Sequence, residues 1–307
     1  MNERSVIERW TQTATRDAGP LVERFVGWAR RSREELQLRM LGRDFSDRIG
    51  QLRTRYRDDL DPFELDMGTF EQVARIWAFF HRFYFRTEVH GIDHLPEQRV
   101  IVVANHSGQI PIDAAILGCA LFFDAEQPRV ARAMIDRWAA NLPWVSAFFA
   151  RIGSVVGTPE NAISLLSNEE ALLVFPEGIK GISKSFAHRY QLQDFGTGFM
   201  RIAMSTGSPI LPAAVIGAEE QYVSLGNSER LARLLKMPVC PVIPQMYFPG
   251  GQLPLPTKYR VYFGEPMRFS ASDAKDESSI AERVYLVRCA IQRLIDYGLR
   301  RRRSAFW

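Results

Sequence analysis

From residue 87 onward the chain alternates two kinds of pattern. Short, unbroken apolar runs bounded by turn residues are separated by stretches whose apolar positions recur every three or four residues. These are the signatures of strands and of amphipathic helices. Strands are predicted over Arg99–Asn105, Pro128–Arg132, Ile152–Val156, Ala171–Pro176, Pro209–Gly217 and Tyr259–Pro266. Helices are predicted to start near Pro111, Asp136, Pro159, Phe195 and Asn227. A final helix, about Glu277 to Arg300, carries Ile280, Val284, Val287, Ile291, Leu294 and Ile295 at helical spacing. Runs such as VIVVA and LLVF lack polar alternation, so their strands are expected to be buried on both faces. The expected fold class is α/β, a mixed, largely parallel sheet flanked by helices.

Upstream the pattern changes. Val6, Trp10, Leu21, Phe25, Trp28, Leu36, Met40 and Leu41 stand at helical spacing among arginines and acids, which predicts two or three amphipathic helices. A break at DDLDPFELD, residues 58–66, divides the chain into an N-terminal helical arm, 1–66, and an α/β domain, 67–307. Phe70 to Arg86 reads as a helix with aromatic residues on nearly all sides, too many for one buried stripe. Part of it must face the arm or lipid headgroups.

Composition narrows the class. With 307 residues, 46% hydrophobic and 24% charged, the chain can bury a substantial core and is not disordered. Cys119, Cys240 and Cys289 are widely spaced, as in reduced thiols of a cytoplasmic protein rather than a disulfide frame or zinc site. The charged start MNERSVIERW predicts no signal peptide. The longest uncharged apolar run, Ala114 to Phe123, is about half of the roughly 20 residues a spanning helix needs, so no transmembrane span is expected. A net charge of +4 and the ending LRRRRSAFW, together with the aromatic helix, predict peripheral contact with an anionic membrane surface; a solvated tail is the alternative. Basic and acidic residues interleave without a nucleic-acid motif, so no nucleic-acid partner is expected.

Two strand ends carry candidate chemistry. VVANHSGQIPID brings Asn105, His106, Ser107 and Gly108 off one buried strand, with Asp113 early on the next helix. A carboxylate that orients an imidazole and fixes its tautomer makes a general base; a helix-capping Asp beside a loop His is the alternative. LLVFPEGIKG delivers Glu177, Gly178 and Lys180 to the same end of the sheet, where ligand sites of open α/β sheets gather. Glu177 would accept a hydroxyl hydrogen bond or fix the loop, and Lys180 would neutralise phosphate. His90 and His94 flank a Gly/Asp turn without a third ligand, which favours a surface strand-to-loop segment over a metal site. His81 and His188 read as packing or surface residues, and FGTGF, residues 195–199, lacks the Walker lysine.

NHSGQIPID followed about seventy residues later by FPEGIKG resembles the glycerolipid acyltransferase family, which includes the 1-acylglycerol-3-phosphate acyltransferases. RVARAMIDRWAANLPWVSAFFARIGSVVG resembles that family's second-motif region and LPAAVIGAEE its fourth, over residues 87–268. The resemblance implies acyl transfer from a thioester, of coenzyme A or acyl carrier protein, to a lipid hydroxyl such as that of lysophosphatidic acid. It needs no other cofactor and no metal. His106 would take the hydroxyl proton, Asp113 steady the ring, and Glu177, Gly178 and Lys180 shape the acceptor pocket. Three departures stand out: Asp113 follows His106 by seven positions where the family has five, Gly157 stands where it has a phosphate-binding arginine with Arg151 the nearest substitute, and Lys180 replaces another arginine. They keep open a neutral, diacylglycerol-type acceptor and a non-catalytic lipid-binding relative. A metal-assisted phosphoesterase using His106, Asp113 and Glu177 ranks last for want of clustered ligands. The acyl chain is expected in an apolar groove lined by Phe148, Phe149 and the strand 209–216.

Overall fold

The computed structural model describes residue 35 and residues 40–56, 61–107, 110–142, 144–234, 238–270 and 276–307. The chain divides into two compact units, Met1–Phe45 and Ser46–Trp307. The amphipathic positions from Val6 to Leu36 lie outside the described residues, as does Gly108. Within the second unit, the stretch ahead of residue 67 is tied to the sheet, because the Asp61 carboxylate takes a two-pronged bond from the fully buried Arg132 at 2.9 and 3.1 Å.

Among the described residues seven strands form one sheet: β1 Glu88–His90, β2 Val100–Ala104, β3 Ala131–Ile135, β4 Val155–Val156, β5 Ala171–Val174, β6 Ile210–Ile216 and β7 Arg260–Phe263. Their order is β1-β7-β6-β2-β5-β3-β4. Every pairing is parallel except β6–β7. Val102 of β2 stands opposite Leu173 of β5 and Leu211 of β6, so three neighbouring parallel strands end on one rim. All of β2 and β6 is buried, as unbroken apolar runs require when helices cover both faces.

Two strand expectations are corrected. The third strand begins at Ala131, not Pro128. Arg129 instead leaves the ladder and donates to the carbonyls of Pro96, Glu97, Gln98 and Glu169. The strand expected from Ile152 is only Val155–Val156, after a turn at Gly153 with φ +98°. β1 escapes the pattern entirely: its three residues, Glu-Val-His, hold a place in the sheet only because β7 pairs with them.

Each sheet face carries its own core. Helices Pro159–Ser167, Gly198–Thr206 and Glu277–Arg301 pack over Ile101, Val103, Leu172, Ile210 and Ala214. The last helix buries Ile280, Val284, Val287, Ile291 and Ile295, the expected stripe, and presses on the sheet at Gly298. A Cβ there would lie 2.3 Å from Ile216 Cδ1 and 2.5 Å from the Tyr262 ring, so only glycine allows this approach. On the other face lie helix Ile112–Cys119 and the aromatic segment, a helix Met67–Phe79 continuing into a π-helical turn Phe80–Tyr84. Among the described residues no helix is long and apolar enough to cross a membrane.

Candidate active site

β2 stops pairing at Ala104, opposite Ala213. The next residue, Asn105, replaces one rung of the ladder with its side chain: Oδ1 accepts from Val215 N (2.8 Å) and Nδ2 donates to Val215 O (3.0 Å). The strand end is thereby pinned while the chain turns away, which places His106 on the rim rather than in the sheet. Its ring stacks on Phe175 at 4.3 Å between centroids and 21° between planes.

His106 Nδ1 lies 2.7 Å from Asp113 Oδ2. That oxygen also accepts from Ser107 N (2.7 Å) and Ser107 Oγ (3.1 Å), and Oδ1 accepts from Ala114 N (2.8 Å). The carboxylate is fully buried and offered only donors, so it holds the Nδ1–H tautomer and leaves Nε2 with its lone pair. The His106 side chain keeps 17% of its surface exposed, and Nε2 makes no hydrogen bond among the described residues. Helix Ile112–Cys119 starts one residue before the aspartate, so the carboxylate meets the imidazole from the first turn of that helix despite the seven-residue spacing.

Glu177 faces inward. Oε1 accepts from His106 N (3.0 Å), while Oε2 accepts from Gln193 N (2.8 Å) and pairs with Lys184 Nζ (3.2 Å). With both oxygens bonded within the protein and 3% of its surface exposed, Glu177 ties the loop beneath the His106 backbone. Lys184 is itself buried and reaches Glu219 Oε1 at 3.0 Å, while Glu219 Oε2 accepts from Tyr190 N (2.8 Å). Burial raises the Glu219 carboxyl above its ordinary value, and the Lys184 ammonium opposes that rise. One lysine thus serves two buried carboxylates under the histidine backbone. Neither Lys184 nor Glu219 is singled out by the sequence patterns. A second lysine four positions after Lys180 reads as one more solvated charge, and its partner is 35 residues away.

Gly178 and Gly181 allow this packing. Gly178 turns the chain at φ +53°, ψ −137°, a combination open only to glycine. A Cβ on Gly181 would lie 2.8 Å from Glu177 Cβ and 3.1 Å from His106 Cβ. Lys180, by contrast, points outward, its side chain 66% exposed and 3.8 Å from Asp194. Arg151 ends helix Val145–Arg151 exposed, and its charge acts on Asp66. Gly157 N donates to Ile135 O at 2.8 Å, and a Cβ at Gly157 would stand 3.2 Å from that same oxygen. The backbone at this position is drawn against β3.

An apolar groove starts at Pro111, two residues from Asp113, and runs between helix Met67–Phe79 and helix Ile112–Cys119 over β3. Trp77, Ala114, Gly118, Ala133 and Phe149 line it. Of the lining expected from sequence, Phe149 is present. Phe148 instead faces solvent, and strand 209–216 is sealed in the centre of the sheet, because β2 and β6 are interior strands. Among the described residues no three His, Cys, Asp or Glu side chains gather to hold a metal ion.

The profile of the acyltransferase family matches residues 86–216, from just before β1 to the last residue of β6. With the relatives that share most of its length, the chain belongs to this acyltransferase family. An uncharacterised protein of Mycobacterium leprae is 37% identical over 268 residues, covering 84% of this chain and 73% of its own length. A bovine protein named DGAT1/2-independent enzyme synthesizing storage lipids is 26% identical over 229 residues, covering 75% of this chain and 65% of its own length. The crystal structure of the 1-acyl-sn-glycerophosphate acyltransferase PlsC from Thermotoga maritima shares the fold. Its TM-score is 0.51 at 18% identity, over 90% of this chain and 99% of that one.

Proposed function

We propose that the chain transfers a fatty acyl group from a thioester to the hydroxyl of a glycerolipid, with His106 as general base. One observation carries this reading: an imidazole with Nδ1 held 2.7 Å from a buried carboxylate, its Nε2 unengaged, with that carboxylate two residues from Pro111 in the wall of an apolar groove. Nε2 takes the acceptor's hydroxyl proton as the oxygen attacks the thioester carbonyl. The tetrahedral oxyanion then collapses, the carbon–sulfur bond breaks, and the leaving thiolate takes the proton from the imidazolium. An ester replaces a thioester and no acyl-enzyme forms. The groove takes the acyl chain, and the thioester of coenzyme A or acyl carrier protein is the donor.

A neutral, diacylglycerol-type acceptor fits better than a phosphorylated one. Where the family carries a phosphate-binding arginine this chain has Gly157, and Lys184 is committed to two carboxylates. Similarity to enzymes named for storage-lipid synthesis points the same way. Lysophosphatidic acid is the second reading, and the outward Lys180 favours it. Incubation with labelled acyl thioesters and each acceptor, followed by thin-layer separation, decides between them. Triacylglycerol is expected to exceed phosphatidic acid severalfold, and no labelled ester from any acceptor would defeat the reading of acyl transfer itself.

Access to such substrates calls for membrane contact. Ile76, Phe79 and Phe83 are exposed along the aromatic segment, and Trp144 and Phe148 are exposed at the helix beside the groove. Apolar side chains grouped in this way mark a face suited to a lipid interface. Phe79→Ser with Phe83→Ser is expected to reduce co-sedimentation with phospholipid vesicles by severalfold without changing the far-UV circular dichroism. Undiminished sedimentation would remove this segment from the contact.

A further inference from the structure

A second cavity, of about 710 Å³, opens at the sheet edge between β1, β7 and the end of helix Glu277–Arg301. None of Asn105, His106, Asp113 or Glu177 lines it. Glu88 stands opposite Arg260 and His90 opposite Tyr262 across the β1–β7 pair, so these four share one face of the sheet. Gly298 packs on Tyr262, which makes that face the one under the C-terminal helix. The helix bearing Asp113 covers the other face. β7 is two strands from β2 and β1 is three, roughly 10–15 Å at about 4.8 Å per strand. The cavity is therefore separate from the acyl-transfer site, and a ligand held there would bind whether or not His106 acts as a base.

Its walls carry five cationic side chains, Arg86, Lys258, Arg260, Arg301 and Arg303, against one acidic side chain, Glu88. Glu88 is already divided between Lys258 (2.5 Å) and Arg260 Nε (3.1 Å). Arg301 bonds the neutral Tyr297 hydroxyl (2.6 Å), and Arg303 pairs with no carboxylate among the described residues. More telling is Arg260. Its side chain is 7% exposed, Nε and Nη2 are used by Glu88 and the Trp307 carbonyl, and Nη1 has no acceptor. Arg86 Nε in the same wall is likewise buried without a partner. Buried guanidinium donors left unmet are costly unless an acceptor arrives. Three segments distant in sequence, 86–90, 258–262 and 297–307, converge to build this wall. The ending expected as a solvated or lipid-binding tail is docked on it, through Lys258 N to Ala305 O (2.8 Å) and Arg86 Nη2 to Phe306 O (3.1 Å).

We propose that this sheet-edge cavity binds a phosphate-bearing ligand. A phosphate brings several strong acceptor oxygens and up to two negative charges, matching unpaired guanidinium donors that a carboxylate or a neutral group would satisfy only in part. The volume exceeds one phosphate and falls in the range of small-molecule sites. His90 stacked on Tyr262 (4.8 Å, 15°) supplies a flat wall for the rest of the ligand. The phosphate comes from a soluble ester or from an anionic lipid headgroup.

The full-length chain tests this by calorimetric titration with inorganic phosphate and pyrophosphate, and by sedimentation with phosphatidylcholine vesicles with and without phosphatidic acid. The variant is Arg301→Gln with Arg303→Gln, two side chains at the cavity mouth, and Arg260→Gln serves as a second if it folds. Saturable pyrophosphate binding, weakened at least tenfold in the double variant, is expected. If phosphatidic acid also retains more wild-type than variant protein, the source is a lipid headgroup; if it does not, the source is soluble. Absence of saturable binding in both arms, or binding equal in wild type and the double variant, overturns the proposal. Acyl transfer is expected to be unchanged in the double variant, so a failed acylation assay leaves this test intact.

Discussion

Replacing His106 with alanine is expected to lower kcat by about a thousandfold, within the 10²–10⁴ range typical of a positioned general base, while the protein stays folded. The ring is partly exposed and its main apolar contact is the stack on Phe175, so its loss removes about 1 kcal/mol of stability. Asp113→Asn should be nearly as severe for a different reason. An asparagine has one acceptor oxygen and an amide that donates, so it cannot accept at once from His106 Nδ1, Ser107 N and Ser107 Oγ. The imidazole then favours the opposite tautomer, with Nε2 protonated and unable to act as base. The same substitution in serine-hydrolase triads costs about 10⁴ in kcat. The signature is a fall in kcat with KM little changed for both variants, measured beside a melting curve. Full turnover in His106→Ala would transfer the base to another group and remove the proposed mechanism.

The largest expected effect on stability is at Lys184. Lys184→Met leaves Glu177 and Glu219 buried without their cation. Breaking one side of a buried ion pair costs about 3–5 kcal/mol, because an uncompensated charge remains in a low-dielectric site. The pH dependence gives the sign. Burial already raises Glu219, and removing the ammonium that opposes the rise moves it further in the same direction. The folded variant then binds protons at pH values where the unfolded chain, with glutamates near about 4.3, has released them. Stability of the variant therefore falls as pH rises above about 4.5 and recovers on acidification. Urea unfolding at pH 5 and pH 8 should show a smaller deficit at the lower pH, and Glu219→Gln added to Lys184→Met should restore part of it. A deficit independent of pH would mean that lost packing, not stranded charge, explains the change. Activity should fall as well, since Glu177 holds the His106 backbone.

The strand ends that carry His106 and Glu177 are legible in the sequence because each follows an unbroken apolar run, and such runs form the interior strands of a helix-covered sheet. Their arrival on one rim follows from parallel pairing of β2 with β5. Legibility fails where a residue's role depends on a distant partner. Lys184 has the look of a surface charge until Glu219 arrives from beyond β6. The partners of Glu177, His106 N and Gln193 N, likewise come from 71 and 16 positions away. β1 is invisible for the same reason, its three residues being held by β7 about 170 positions away.

The α/β class, the interior strands and the long C-terminal helix are written in local period, and the candidate histidine and aspartate in motifs that resemble those of an acyltransferase family. Folding in three dimensions adds the rest: seven positions of separation still bring carboxylate to imidazole, the apolar groove runs between two helices over β3, and five cations meet at the sheet edge. Local patterns report which face a residue must bury. The pairing of charges and the shape of cavities depend on which distant segments the sheet order brings side by side.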